Sequence, residues 1–147
     1  MKHHLFAYGT LMSEEIFTRV IGPSKFTVQS TPATLTGYRR SLVRGEYFPA
    51  ITPDTIERKS ARVEGVLYKT IPEPAWTKLD HFEGELYYRD EVIVIDENNN
   101  KYKAMAYIIK PNYRKKLSSV DWELNCFLKE NKARFISEYL RFSSEQD

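Results

Sequence analysis

The stretch Leu5-Phe6-Ala7-Tyr8-Gly9-Thr10-Leu11 joins an apolar run to a glycine-containing turn. Its first three residues predict a buried strand, and Tyr8-Gly9 predicts the turn in which that strand ends. Ser13 follows closely and precedes two acidic residues, a pattern typical of the start of a helix. The sequence therefore predicts a strand, a tight turn and a helix in direct succession.

The predicted turn, Tyr8 to Leu11, has a second interpretation as a binding site for an anion. A strand that runs through glycine towards a helix presents several backbone N–H groups in one direction, which suits a carboxylate or a phosphate. Gly9 allows close approach of a ligand and dihedral angles that other residues avoid, and the Thr10 hydroxyl adds a donor. The residues alone favour an ordinary strand–turn–helix connection, and they do not match a phosphate-binding P-loop.

Downstream of this turn, short strands alternate with short helices. Strand-forming residues predict strands in four segments: 26–43 with an interruption at Gly37, 61–70 with alternating faces, and 87–96 and 102–109 joined by an asparagine turn. Two prolines in 45–54 predict a loop that crosses the surface or borders an active site. Helices are predicted from Pro72 to Gly84 and, with a break near Asn131, in a tail from about 120 to 142. This order predicts an α+β fold, a mixed β-barrel-like sheet with short helices packed around it.

The composition is typical of a globular protein without a nucleic-acid or membrane partner. Its 147 residues fit one domain, 1–147, and are 41% hydrophobic and 29% charged. A net charge of +2 is too small to indicate nucleic acid or a membrane by itself. Two basic clusters lack a recognised binding motif and are interpreted as solvated faces: Arg39, Arg40 and Arg44, and Arg114, Lys115 and Lys116.

Cysteine and histidine are scarce in this chain. Cys126 is the only cysteine, so no internal disulfide can form and a reducing compartment is expected. With three histidines besides it, the chain lacks a thiolate and imidazole framework, and no metal is predicted. The polar N terminus does not resemble a secretory signal, and no segment approaches the roughly 20 apolar residues that span a bilayer. A cytoplasmic location is therefore expected.

Glu83 is a carboxylate on the apolar side of a predicted helix. Trp76, Leu79 and Glu83 are spaced i, i+3 and i+7, which places them on one stripe. A carboxyl group in apolar surroundings has a raised pKa, as a general acid/base working near neutral pH requires. The residues leave open two other arrangements, in which Glu83 turns outward at the helix end or pairs with Arg89.

Five motifs in order resemble the gamma-glutamylcyclotransferase-like family, and more narrowly its gamma-glutamylamine cyclotransferase and avirulence-induced branch. They are Phe6-Ala7-Tyr8-Gly9-Thr10-Leu11, Leu35-Thr36-Gly37-Tyr38-Arg39, Tyr47-Phe48-Pro49-Ala50-Ile51, Val63-Glu64-Gly65-Val66-Leu67-Tyr68 and Leu79-Asp80-His81-Phe82-Glu83-Gly84-Glu85-Leu86-Tyr87-Tyr88-Arg89. The family form of the third motif is Tyr-Pro-Ala-Ile, and here Phe48 intervenes. The tail carries no recognised motif.

The resemblance implies a mixed β-barrel with a cavity at one end and an enzyme that needs no metal or organic cofactor. Tyr8 to Leu11 would hold the α-amino-acid end of a small γ-glutamyl substrate, and Glu83 matches the catalytic glutamate. The implied reaction forms 5-oxoproline and releases a free amine. Alternation along the following strand means that only one of Tyr87 and Tyr88 faces the cavity, and core packing is the other interpretation of both.

Two other functions remain open at this stage. The altered proline loop is compatible with a non-catalytic small-molecule binding or regulatory module on the same fold. Related lyase chemistry on a larger modified amine is a further alternative, which the mouth of the cavity would decide. The sequence does not predict the leaving amine or the oligomeric state.

Overall fold

A computed structural model describes residues 3–23, 28–54 and 61–140. The strands are β1 (His3–Ala7), β2 (Gln29–Thr36), β3 (Tyr38–Leu42), β4 (Pro49–Pro53), β5 (Arg62–Ile71), β6 (Tyr87–Asp96) and β7 (Lys101–Ile109). The two longer regular helices are α1 (Glu14–Ile21) and α2 (Glu73–Glu83). A single turn of 3₁₀-helix lies at Thr10–Met12, and a longer 3₁₀ segment lies at Pro111–Lys116. A C-terminal segment, residues 124–140, continues in α- and π-helical turns.

Five strands close into a barrel in the order β1-β5-β2-β6-β7. Strands β1 and β7 run parallel, and the other neighbouring pairs of the barrel run antiparallel. Strands β3 and β4 form a separate two-stranded sheet. This confirms the predicted α+β fold with a mixed β-barrel and short helices around it.

The helices begin and end where the sequence predicts. The Ser13 side chain accepts a hydrogen bond from the backbone N–H of Ile16 at the start of α1. Proline occupies the start of α2, and Gly84 ends it with a positive φ of 76°. Both helices contribute apolar side chains to one core cluster, together with Leu5 and Ala7 of β1. That packing fixes the end of β1 beside the end of α2.

The prediction of a loop over 45–54 is wrong in its second half, where β4 pairs with β3. The two prolines lie at the ends of this short strand, with Pro49 opposite Leu42 and Pro53 opposite Tyr38. A proline at a strand end is tolerated because its missing N–H is not required by a central ladder. The interruption of 26–43 at Gly37, which has a φ of 82°, is confirmed, while residues 26 and 27 lie outside the described residues.

The predicted tail becomes helical at Leu124 rather than near 120. At Asn131 the backbone leaves helical geometry, with φ −124° and ψ −15°, which confirms the predicted break. Phe127 and Phe135 are buried, so the segment packs against the rest of the molecule. The last two residues of the predicted tail, 141 and 142, lie outside the described part of the chain. No helix among the described residues combines the length and the apolar character needed to cross a membrane.

Candidate active site

A cavity of about 400 Å³ lies where β1 and α2 end, a size within the usual range for small-molecule sites. It is lined by six of the seven residues predicted to form the site: Tyr8, Gly9, Thr10, Leu11, Glu83 and Tyr87. The seventh, Tyr88, does not line it. The fold thus brings together two sequence regions that are more than 70 positions apart.

Glu83 is the last residue of α2 and lines the cavity. Burial, with a smaller contribution from the negative charge of Asp80, raises the pKa of Glu83 to about 8. Within the described residues its carboxylate has no hydrogen-bond or ion-pair partner. A carboxylic acid in this state can exchange a proton near neutral pH, because neither protonation state is locked by a partner.

Arg89 does not pair with Glu83, which decides one arrangement that the sequence left open. Its Nη1 lies 3.4 Å from Oδ1 of Asp80, and its guanidinium lies over the Trp76 ring, 4.7 Å from the centroid. Asp80 also accepts a hydrogen bond of 2.6 Å from the Tyr107 hydroxyl. Asp80 therefore binds both Arg89 and the Tyr107 hydroxyl, whereas the Glu83 carboxylate makes neither contact and lines the cavity.

The first turn presents backbone N–H groups that donate to no other group in the described part of the chain. Met12 donates to the carbonyl of Gly9, and Ser13 donates to that of Thr10, which forms the 3₁₀ turn. In the described structure the N–H groups of Gly9, Thr10 and Leu11 have no acceptor, and all three residues line the cavity. Such amides at the start of a helical turn suit an anionic group of a ligand.

Gly9 is required by a close approach of another residue to the turn. Its φ is negative, at −128°, so it does not adopt the left-handed conformation that favours glycine. A Cβ atom at this position would lie 2.9 Å from Cγ and Cδ of Pro49. The ring of Pro49 therefore packs directly on the turn and fixes its distance from β4.

The Arg40 side chain forms a hydrogen bond with the residue that begins the first turn, Tyr8. Its Nη1 donates to the Tyr8 carbonyl at 3.0 Å, and its Nε lies 3.0 Å from Oδ1 of Asp121. The Arg40 side chain is only 16% exposed, so its interpretation as part of a solvated face is wrong, whereas Arg39 and Arg44 are exposed. Alternation along a strand could have shown this, because adjacent residues face opposite sides.

Two tyrosine hydroxyls in the cavity wall donate hydrogen bonds to backbone carbonyls. Tyr87 is buried and donates to the Pro49 carbonyl at 2.7 Å, and Tyr8 donates to the Tyr107 carbonyl. Burial raises the pKa of Tyr8 and of Tyr87 well above the usual value, so both hydroxyls remain protonated donors. Tyr88 is 36% exposed, so its prediction as a cavity residue is wrong, and the expectation that one of the two tyrosines faces inward is confirmed.

The cavity lining also includes residues that were not named as site residues, among them Tyr107, Phe135 and Tyr139, and Glu46 and Phe48 from the segment predicted to cross the surface or border an active site. Alternation along β7 could not single out Tyr107, because residues 106–109 are all buried. Phe135 and Tyr139 lie in the tail, where helical periodicity marked both as apolar without indicating what they contact. Their position at the cavity follows only from the fold.

The α+β barrel carries a cavity whose lining includes Glu83, a carboxylate without a partner among the described residues. This arrangement is typical of a small-molecule binding site. The model of the gamma-glutamyl cyclotransferase, AIG2-like family matches residues 5–124. The chain belongs to this family, which confirms the resemblance found in its motifs. It is 29% identical over 108 residues to AIG2-like protein D of Arabidopsis thaliana. That match covers 72% of this chain and 66% of the relative, so the chain spans slightly less than two thirds of that protein.

Solved structures with the same fold include two of particular relevance. A solution structure of an Arabidopsis thaliana protein superposes with a TM-score of 0.66 at 20% identity, covering 99% of this chain and 84% of its own. A structure described as gamma-glutamyl cyclotransferase superposes with a TM-score of 0.61 at 17% identity, covering 78% of this chain and 75% of its own. At these identities the likeness establishes the fold.

Proposed function

We propose that this protein is a gamma-glutamylcyclotransferase-type enzyme that converts a γ-glutamyl amine or γ-glutamyl amino acid into 5-oxoproline and a free amine. The observation that carries the proposal is Glu83, a partly buried carboxylate without a partner among the described residues, in the same cavity as the unbonded amides of Gly9 to Leu11. The family to which the chain belongs supports the reaction class.

The first step is intramolecular attack by the substrate's own α-amine, so the protein does not need a nucleophile of its own. The amine is protonated at neutral pH and must lose a proton before it attacks. Glu83, with a pKa raised to about 8, accepts that proton. The nitrogen then forms a bond to the γ-carbonyl carbon, and the cavity favours the cyclising conformation by holding both ends of the glutamyl group.

The second step expels the leaving amine. The bond between the γ-carbon and the departing nitrogen breaks while Glu83 returns the first proton to that nitrogen. The ring nitrogen gives up its second proton, which Glu83 passes to the same amine, so the products are 5-oxoproline and the protonated amine, and Glu83 is again a carboxylate. Meanwhile the unbonded amides of the first turn bind the substrate's α-carboxylate. Each atom and proton is accounted for by the substrate and one carboxyl group of the protein.

The proposal is tested by incubating the protein with a panel of γ-glutamyl compounds and measuring 5-oxoproline. The Glu83→Gln variant should retain the fold and lose at least 100-fold in kcat, because the amide cannot accept the proton. Glu85→Gln is the matched control, since Glu85 also lines the cavity but is exposed, and it should keep most of the activity. Folded wild-type protein that forms no 5-oxoproline from any compound would argue against the proposal.

A second candidate is a non-catalytic binding or regulatory module on the same fold. Phe48, the residue inserted in the proline motif, lies in the cavity wall, and this difference from the family pattern favours it. This candidate predicts that a γ-glutamyl compound raises the melting temperature without being converted. It also predicts that Glu83→Gln leaves the stabilisation mostly unchanged.

A further inference from the structure

Three aromatic side chains form one wall of the cavity, which we call the aromatic wall: Phe48, Phe135 and Tyr139. The Tyr139 ring lies 6.0 Å from the Phe48 ring and 4.9 Å from the Phe135 ring, measured between centroids. Phe135 is buried, and Tyr139 is 38% exposed. The wall therefore has a buried inner part and a partly exposed outer part.

Specific contacts hold the wall against the catalytic end of the cavity. The Phe135 ring packs edge-on against Phe82, the neighbour of Glu83, at 5.9 Å. At the other end the Tyr139 hydroxyl donates to Oε2 of Glu46 at 2.6 Å. Two of the three aromatic residues lie beyond residue 124, where the match to the family model ends. The aromatic wall is thus built largely by the part of this chain that the family pattern does not include.

The charge of the lining limits what the aromatic wall can bind. The described cavity lining contains three carboxylates, Glu46, Glu83 and Glu85, and neither lysine nor arginine. Most of its other side chains are apolar or aromatic. A planar apolar group gains from stacking and edge-on contacts with such rings, whereas an anionic group at the aromatic wall would meet Glu46, away from the amides of the first turn and without a compensating cation.

The proposed reaction indicates which part of the substrate would occupy each end of the cavity. If the first turn binds the α-carboxylate and Glu83 serves the two nitrogens, the glutamyl group occupies the end near β1 and α2. The substituent on the leaving nitrogen then extends from Glu83 towards Phe82, which contacts Phe135. We propose that the aromatic wall is the subsite for this leaving amine and that it selects amines with an aromatic or bulky apolar body. This inference rests on the proposed function.

Selectivity is measured with two substrates that differ only beyond the leaving nitrogen, γ-glutamyl-phenethylamide and γ-glutamyl-ethylamide. Apolar pockets discriminate by about 10- to 200-fold for a single methylene, so wild-type kcat/KM should favour the phenethyl compound at least tenfold. Tyr139→Ala should remove most of this preference by lowering kcat/KM for the phenethyl compound only. Tyr139→Phe, which loses the hydroxyl but keeps the ring, should retain most of it.

The matched control is Leu128→Ala, which truncates a side chain of the same C-terminal segment that is 37% exposed and outside the cavity lining. It should leave the substrate preference unchanged. Equal kcat/KM for the two compounds in the wild-type protein, or equal effects of Tyr139→Ala and Leu128→Ala, would overturn the proposal. Phe135→Ala is less suitable because Phe135 is buried in the core.

Binding to the Glu83→Gln variant separates this inference from the proposed function. Calorimetry should give a Kd for the phenethyl compound at least tenfold lower than for the ethyl compound, and adding Tyr139→Ala should abolish the difference. If turnover is absent but this difference is found, the proposed reaction fails and the subsite stands. If turnover is found and the two compounds bind and react equally, the reaction stands and the subsite fails.

Discussion

The Tyr107 hydroxyl donates a hydrogen bond of 2.6 Å to Oδ1 of Asp80, one helical turn before Glu83. The same oxygen lies 3.4 Å from Nη1 of Arg89. These two contacts hold Asp80 in place on α2, and its negative charge adds to burial in raising the pKa of Glu83. Asp80 is in this way a positioning residue that tunes a carboxylate it does not touch.

Replacing Asp80 by Asn should lower the pKa of Glu83. The amide removes a negative charge that disfavours ionisation of Glu83, while burial, the larger cause, remains. The pKa of Glu83 should therefore fall but stay above its usual value. The low-pH limb of kcat/KM for a γ-glutamyl substrate should move to lower pH by the same amount, and NMR titration of the Glu83 carboxyl carbon measures the shift directly.

Asp90→Asn is the control for this effect. Asp90 is an exposed residue on β6, and its carboxylate accepts a hydrogen bond from the backbone N–H of Glu91. It is not among the causes of the raised pKa of Glu83. A pH profile that moves equally in both variants would show that general surface charge, and not Asp80, sets the pKa of Glu83.

The raised pKa of Glu83 also predicts how stability depends on pH. A carboxyl group with a pKa near 4.5 when unfolded and about 8 when folded binds more protons in the native state between these values. The free energy of unfolding should therefore decrease as pH rises from about 4.5 to about 8, by an amount on the order of a few kcal/mol. Below pH 4.5 both states are protonated, and the contribution of Glu83 no longer changes.

Glu83→Gln isolates this contribution because glutamine does not titrate. Urea denaturation of wild type and variant should give similar free energies of unfolding at pH 5 and a clear advantage for the variant at pH 8.5. Contributions from all other titrating groups are shared by the two proteins and cancel in the difference. A difference that is constant across this range would contradict a raised pKa.

Local signals in the sequence were sufficient for most elements. Strand β6 has the predicted bounds, Tyr87–Asp96, because aromatic and β-branched residues fill most of this segment and an asparagine-rich turn follows it. The position of Glu83 on the apolar stripe of its helix could also be predicted locally, because helical spacing alone determines which residues share a face. The residues could not decide whether Glu83 met a partner, because Arg89 had two acidic neighbours within reach, and only the fold shows that it pairs with Asp80.

What the sequence did not reveal depends on contacts between distant segments. Glu46 and Tyr139 are 93 positions apart and meet through a hydrogen bond. Periodicity shows that a tail residue is apolar, but it does not indicate which surface it covers. Pro49 gave a misleading local signal, since proline is usually read as a loop former, whereas its partner β3 makes this segment a strand.

Gly9→Ala should damage both stability and activity. The new methyl group would lie 2.9 Å from two ring atoms of Pro49, so the first turn or β4 must move. Overpacking of this kind costs about 1–3 kcal/mol. Displacing the amides that bind the α-carboxylate by about 1 Å is expected to lower kcat/KM about 100-fold. Denaturation and initial-rate measurements test both parts.

The contact itself is tested by adding Pro49→Ala to Gly9→Ala. Alanine lacks the two ring atoms that the new methyl group would meet, so the double variant should recover part of the lost stability and activity. Pro49→Ala alone provides the fourth corner of a double-mutant cycle. Strictly additive effects in that cycle would mean that the loss in Gly9→Ala arises from something other than this contact.

Tyr87→Phe and Tyr88→Phe should differ sharply although the residues are adjacent. Tyr87→Phe removes a hydrogen bond of 2.7 Å and leaves the Pro49 carbonyl without its donor, which costs about 1–3 kcal/mol for a buried group. Because Pro49 packs on the first turn, kcat/KM should also fall. Tyr88 is 36% exposed and lies outside the cavity, so Tyr88→Phe should change neither quantity. Equal losses in the two variants, by urea denaturation and initial rates, would contradict the inward placement of Tyr87.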